Sequence, residues 1–283
     1  MNRAERRRQE KAAHKTPTSG RDFSAPRQTI TTLKAQLQQA TSPEEVQQII
    51  TTLVARGFPL AAGEELQVYA AEYHDATTIL RTGTEVGTVT TLVDNAHRWA
   101  DISIDRSPER ERRACQEGCA FCCYLPVVVA TAAEIVYLAA WLREHCSPGE
   151  LAALQQRLAD RQEMMSSSST QPRTPLPCAL LQDNRCIAYP ARPLKCRGCH
   201  SVRREACEQA YGHGQSTNRV PVDAYAFIMG NAVLNGLGDS ASRAGLDGDS
   251  YDLTHALARA LDMPDVIERW CNGERLFDVG RNE

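Results

Sequence analysis

The residues best placed to do chemistry are cysteines. Of the 11 in the chain, ten fall in the 93 residues from Cys115 to Cys207, and Cys271 lies outside. They form two groups. The first is Cys115-Gln-Glu-Gly-Cys119-Ala-Phe-Cys122-Cys123; the second is Cys178, Cys186, Cys196 and Cys199, followed by Cys207. Short spacings of this kind let consecutive thiolates turn onto one ion. Soft sulfur suits zinc and iron–sulfur clusters and does not suit magnesium or calcium. Gly118 and Gly198 are expected to supply the backbone freedom of those turns. Arg112, Arg113, Lys195 and Arg197 are expected to offset the charge of clustered thiolates. Cys122 and Cys123 are adjacent, so their side chains diverge in extended or irregular backbone. A polynuclear cluster, or two sites, accommodates such a pair more easily than one mononuclear ion.

Eight cysteines therefore stand as candidate metal ligands: Cys115, Cys119, Cys122, Cys123, Cys178, Cys186, Cys196 and Cys199. The surplus over the four used by one tetrahedral zinc favours a [4Fe–4S] cluster, with zinc as the alternative. Cys207 is left open. Cys146, at a helix end, and Cys271, beside Trp270, read as small buried residues. His200 could replace a thiolate or tune one from behind. No catalytic residue is nominated.

The same cysteines carry two resemblances. The spacing Cys115-x3-Cys119-x-Phe-Cys122 resembles the iron–sulfur motif of radical S-adenosylmethionine enzymes. Those enzymes are similar to open α/β barrels, and this sequence lacks their serial strands. The longer pattern is closer to another family. GCAFCC, then Cys178-Ala-Leu-Leu, then Cys186-Ile-Ala-Tyr189-Pro-Ala-Arg192-Pro193-Leu-Lys-Cys196, resembles the cysteine-cluster family called YkgJ-type. Cys115 departs by one residue of spacing. The resemblance implies a zinc- or iron-chelating module and no settled reaction. Flagellin lysine methylases carry a similar cluster, which keeps protein methylation open by analogy.

Residues 1–28 carry eight Lys or Arg and three acidic residues, a balance of +5; the remainder is −8, for a total of −3. With few large apolar residues this arm is expected to be disordered or loosely helical, a surface for an acidic partner or RNA. It has no apolar middle of a secretory signal. The expected location is cytoplasmic, where disulfides rarely persist and dense cysteines more often bind metal. No run of about 18 apolar residues is present, so no membrane partner is expected. The oligomeric state is left open.

The elements that must position the cysteines read as helices. Val46, Ile49, Ile50, Leu53 and Val54 repeat at helical spacing, started by Ser42-Pro43-Glu44-Glu45 and ended by Gly57 and Pro59. Leu66, Tyr69 and Tyr73 mark a second helix; Val89, Leu92, Val93, Ala96 and Trp99 mark a third. Thr131 and Glu134 form a capping box before Ile135, Leu138 and Leu142. Ser147-Pro148-Gly149-Glu150 opens the next helix. A Ser/Pro-rich stretch from Ser166 to Pro177 is expected to be a mobile loop. Tyr225, Ile228, Met229, Ala232 and Val233 mark a helix, with a loop expected from Gly236 to Ser250. Within that loop Asp247-Gly248-Asp249-Ser250 reads as a turn, Asp249 or Ser250 capping the helix of Leu253, Leu257, Ala260 and Leu261. Val127-Val128-Val129 is the single short strand signal.

The expected fold is mainly α: a helical bundle with a loop-borne, cysteine-rich metal module. Its parts are a basic arm 1–28, a helical segment 29–105, the cysteine module 106–210 and a helical segment 211–283. The expected function is metal binding in a structural, redox or metal-sensing role. Alternatives are a cluster-dependent enzyme that modifies protein or RNA, and an adaptor that works through the basic arm.

Overall fold

A computed structural model describes residues 24–55, 60–83, 85–116, 118–124, 127–166, 176–212 and 220–277. Most of the basic arm, Gly57, Pro59, and nine residues of the Ser/Pro stretch (167–175) lie outside them. The chain divides into two units, Met1–Ala40 and Thr41–Glu283. The first unit contributes helix α1 (Ser24–Gln39), which begins inside the stretch read as an arm.

The second unit is mainly helical, as the apolar spacing requires. Helices α2 (Pro43–Ala55), α3 (Leu60–Thr82) and α4 (Val86–Asp105) come first. Strand β1 (Val129–Thr131) leads into α5 (Ala132–His145) and α6 (Pro148–Ser166). Strands β2 (Leu181–Gln182) and β3 (Arg185–Cys186) precede the short α7 (Leu194–Gly198) and α8 (Arg204–Gly212). Helix α9 (Ala224–Arg243), strand β4 (Ser250–Asp252), α10 (Leu253–Leu261) and α11 (Val266–Cys271) complete it. One core joins Val89, Leu92 and Val93 of α4 to Ile135, Leu138 and Leu142 of α5, Met229 and Val233 of α9, Leu257 of α10 and Trp270 of α11. None of the helices in the described residues is long and apolar enough to cross a membrane.

Local signals at the helix starts act largely as their chemistry dictates. Ser42 Oγ accepts the Glu45 amide at 3.2 Å, but the Glu45 carboxylate reaches one residue further back, to the Thr41 amide at 2.7 Å. Ser147 and Glu150 close a reciprocal box. So do Thr131 and Glu134.

Two expectations near the C-terminal end are corrected. Helix α9 does not stop at Gly236; it continues to Arg243. Glycine there is required by packing. A Cβ on Gly236 would stand 2.8 Å from the Tyr69 carbonyl oxygen of α3, and one on Gly238 would stand 2.7 Å from the Gly248 carbonyl oxygen. Second, Ser250 is not a cap, because 250–252 is a strand paired antiparallel with β1. Asp252 is the N-cap of α10, accepting the His255 amide. In the turn before it, the Asp247 carboxylate accepts the Tyr251 hydroxyl and the Asp249 amide, so its oxygens serve the fold.

Candidate metal centre: a basin of thiols

The first cysteine group is shaped by one glycine and a short 3-10 helix. Gly118 has φ +81°, a conformation that side chains rarely adopt, and the Cys119 amide donates to the Gln116 carbonyl to close the turn. Cys122 and Cys123 follow on the 3-10 helix Phe121–Tyr124. Tighter winding at three residues per turn fans successive side chains apart.

The second group is gathered by three devices. Arg161 of α6, nearly fully buried, donates to the carbonyl oxygens of Leu176 and Pro177 at 2.6 and 2.7 Å. Arg157, one turn earlier, donates to the Ala179 carbonyl at 2.8 Å. Together they hold Cys178 from both sides. The β2–β3 hairpin turns through Asp183 (φ 49°) and Asn184 (φ 60°), two residue types that tolerate the left-handed region, and sets Leu181 opposite Cys186. The third device is Glu134. One carboxylate oxygen completes the capping box on Thr131; the other accepts the Leu194 amide at 2.6 Å. A single buried carboxylate thus caps α5 and the first turn of α7, which carries Cys196. Burial raises the Glu134 pKa, and these donated bonds oppose that rise.

Gly198 has a different role from the expected one. It is not in a left-handed turn. It sits where α7 crosses α9: a Cβ there would lie 3.0 Å from the Ala226 carbonyl oxygen and 3.5 Å from the Gly230 Cα. Two facing glycines let the backbones approach this closely.

The two groups meet directly. The Cys178 amide donates to the Cys123 carbonyl at 2.7 Å, and the Ala114 amide donates to the Ser201 carbonyl at 2.8 Å. Side chains then converge. Hydrogen bonding with the Cys123 and Cys199 side chains pulls the Cys122 pKa down to about 3. The two donors are pushed the other way, chiefly because they give those bonds. Burial, together with neighbouring thiols, raises Cys178, Cys186 and Cys196.

The compensating cation is one that spacing did not single out. Arg192 lies within electrostatic range of Cys122, Cys186 and Cys196 and favours their ionised forms. Its guanidinium stacks 4.0 Å over the Tyr189 ring, and its Nε is buried without a hydrogen-bond partner. The four nominated cations face other groups. Arg113 pairs with Asp223 at 2.9 Å, Arg112 with Glu109, Lys195 with Asn231. Arg197 forks onto Asp101 and reaches His97, Pro190 and Arg192. Arg197 holds the loop that presents Arg192.

Of the eight nominated cysteines, Cys115 is exposed, and Cys119, Cys122, Cys123, Cys178, Cys186, Cys196 and Cys199 are half-buried. The Ser201 amide donates to the Cys115 sulfur at 3.2 Å. Cys207, left open by spacing, is buried on α8, in a small apolar cluster against which Phe121 packs. Cys146 and Cys271 pack against the main core instead. The backbone carbonyl of His200 accepts the Asp223 amide at 2.9 Å.

Among the described residues, no three His, Cys, Asp or Glu side chains form a group that could hold a metal ion as they stand. Tetrahedral thiolates on zinc sit about 3.8 Å apart, given a Zn–S length of about 2.3 Å. The donor chemistry fits zinc or an iron–sulfur cluster: soft sulfur ligands, a common basin, and a guanidinium alongside. Comparison of the chain with family models, curated proteins and solved structures returned no match. What fold and site define is a class: a mainly helical protein whose loops gather thiols at one place.

Proposed function

We propose that the basin binds a thiolate-ligated metal centre, a [4Fe–4S] cluster in preference to zinc, in a structural, redox or metal-sensing role. The ligand set is drawn from Cys115, Cys119, Cys122, Cys123, Cys178, Cys186, Cys196 and Cys199. The observation that carries the reading is that the two cysteine groups are tied to each other: the Cys178 amide donates to the Cys123 carbonyl at 2.7 Å, and the Ser201 amide donates to the Cys115 sulfur at 3.2 Å. Nothing in ordinary core packing calls for thiols from two distant segments to meet beside a guanidinium. The resemblance to the YkgJ-type family, on Cys119, Cys122, Cys123, Cys178, Cys186, Tyr189, Arg192, Pro193 and Cys196, supports the same reading. Arg192 and Arg161 supply positive charge near the thiolates, and Glu134 and the hairpin fix where Cys196 and Cys186 stand. A bound centre would supply redox or Lewis-acid chemistry.

Protein purified without oxygen should contain iron and acid-labile sulfide in equal amounts, with visible sulfur-to-iron charge-transfer absorption. Zinc in stoichiometric amount without sulfide would replace the cluster by zinc. Absence of both metals, also after anaerobic reconstitution, would refute the reading.

A further inference from the structure

A guanidinium taken out of water needs acceptors for its donors. Most of the buried or half-buried arginines around the cysteines have them. Arg113 has Asp223 and the Ile104 carbonyl; Arg197 has Asp101 and two backbone carbonyls. Arg157 and Arg161 have the carbonyls around Cys178. Arg192, half-buried on the stretch from Cys186 to Cys196, is different. Among the described residues no carboxylate, carbonyl or hydroxyl accepts from its guanidinium, and its Nε is buried. A buried N–H without an acceptor keeps its full desolvation cost, which an oxygen brought into reach would remove. The thiols nearby are weak acceptors while they hold their protons.

The unpartnered guanidinium is nevertheless fixed in place. It lies 4.0 Å over the Tyr189 ring. Stacking uses the face of the guanidinium, while its donors point outward in its plane and stay free. The ring is 60% exposed, more than any other large apolar side chain among the described residues, so a ligand in solution has access to the stack. The backbone is held as well. The Arg192 amide donates to the Tyr189 carbonyl at 3.4 Å, and Arg197 donates to the Arg192 carbonyl at 3.1 Å and to the Pro190 carbonyl. Pro190 and Pro193 restrict φ on either side. A second cation follows three residues later. Lys195 lies 5.2 Å from the centre of the Phe227 ring, and its hydrogen-bond partner is the neutral Asn231 side chain. Neither cation of this stretch makes an ion pair with a carboxylate among the described residues.

We infer that Arg192, stacked on Tyr189, is a binding site for the oxyanion group, carboxylate or phosphate, of a small-molecule ligand. A planar guanidinium presents two parallel N–H donors to two oxygens of such a group, and the charge on both sides strengthens the bonds. Tyr189 sets the plane of the fork before the ligand arrives, so little side-chain freedom is lost on binding. Lys195 adds positive charge to the same short stretch. The site goes beyond the metal-binding reading and does not rest on it.

The test is calorimetric titration of the reduced, full-length protein at low ionic strength with inorganic phosphate and, separately, with succinate. The metal content of the same sample is measured in parallel. Wild type should bind at least one of the two anions. Arg192→Met keeps an unbranched chain over Tyr189 and removes every donor; it should weaken that binding about tenfold or more. Arg192→Lys keeps the charge but cannot fork, and should weaken it too. Far-UV circular dichroism should be unchanged in both, and if methionine unfolds the chain, Arg192→Lys decides. Binding of phosphate alone identifies a phosphorylated ligand and binding of succinate alone a carboxylate; either supports the inference. No binding of either anion by wild type, or equal affinity in a folded Arg192 variant, overturns it and leaves metal binding intact. Anion binding in protein that takes up no metal overturns only the metal reading.

Discussion

Replacing Glu134 by alanine should disturb two helix starts, at Thr131 and at Leu194, with a single truncation. Its carboxylate accepts the Thr131 amide and hydroxyl, each at 2.9 Å, and the Leu194 amide at 2.6 Å. The side chain is almost completely buried, so water cannot replace these bonds. A buried donor left without a partner costs about 1–3 kcal/mol. The Thr131 hydroxyl can rotate to another acceptor; the two amides cannot. Two stranded amides give about 2–6 kcal/mol. Part is recovered because removing the carboxylate also removes the penalty of burying it, the leading cause of its raised pKa. A net loss of about 2–4 kcal/mol follows. Urea unfolding of the full-length protein, followed by circular dichroism at fixed pH, measures it. Glu134→Gln keeps a carbonyl oxygen for one of the amides and should lose about half as much. Since α7 carries Cys196, the alanine variant should also bind less metal than wild type under conditions where both remain folded. A loss below 1 kcal/mol for Glu134→Ala, or equal losses for both variants, would show that the two helix starts do not depend on this carboxylate.

Other perturbations probe the surrounding frame. Glu72 of α3 is fully buried, one of its oxygens has no partner, and Asp75 and Glu134 are near. Burial, with these like charges, raises its pKa well above 4.5, so the folded state holds a proton that the unfolded state releases. This contribution to stability is fully present below pH 4.5 and is lost as pH rises toward the folded value. Glu72→Gln should therefore raise the urea midpoint at pH 8 and have little effect near pH 4; an equal effect at both would contradict the sign. Gly198→Ala should cost about 1–3 kcal/mol, because its Cβ meets the Ala226 carbonyl oxygen at 3.0 Å with backbone on both sides. Thermal unfolding measures the shift, and a change under 1 °C would refute it. Arg197→Lys keeps the charge but loses the planar fork onto Asp101 and the bonds to Pro190 and His97. It should lower stability by about 2 kcal/mol, measured by urea unfolding. Unchanged stability would mean that charge alone is required.

The parts legible in sequence are those whose cause lies within one helical turn. Ser147 with Glu150, and Thr131 with Glu134, announce helix starts, and Leu92, Val93 and Ala96 announce a buried face. The parts not legible depend on partners far along the chain. Gly236 and Gly238 look like a loop because glycine usually breaks a helix; the Tyr69 and Gly248 carbonyl oxygens that require them are distant in sequence. Proximity in sequence suggested Arg197 as a counter-charge, while its buried partners turn it away and Arg192 faces the thiols. Cys207 carried no spacing signal. The aromatic run Phe121, Tyr124 and Tyr211 could have suggested that α8 returns to the first group.

The bond from the Cys178 amide to the Cys123 carbonyl is made by backbone alone. It closes an excursion of 54 residues (178 − 123 − 1). Bringing such ends together costs about 3.5 kcal/mol beyond a constant, on a logarithmic scale in length. The α5–α6 hairpin and the bonds from Arg157 and Arg161 to the chain around Cys178 offset that cost. Because closure scales weakly with length, doubling the whole excursion would add only about 0.6 kcal/mol, so its length is a weak constraint on bringing the two cysteine groups together.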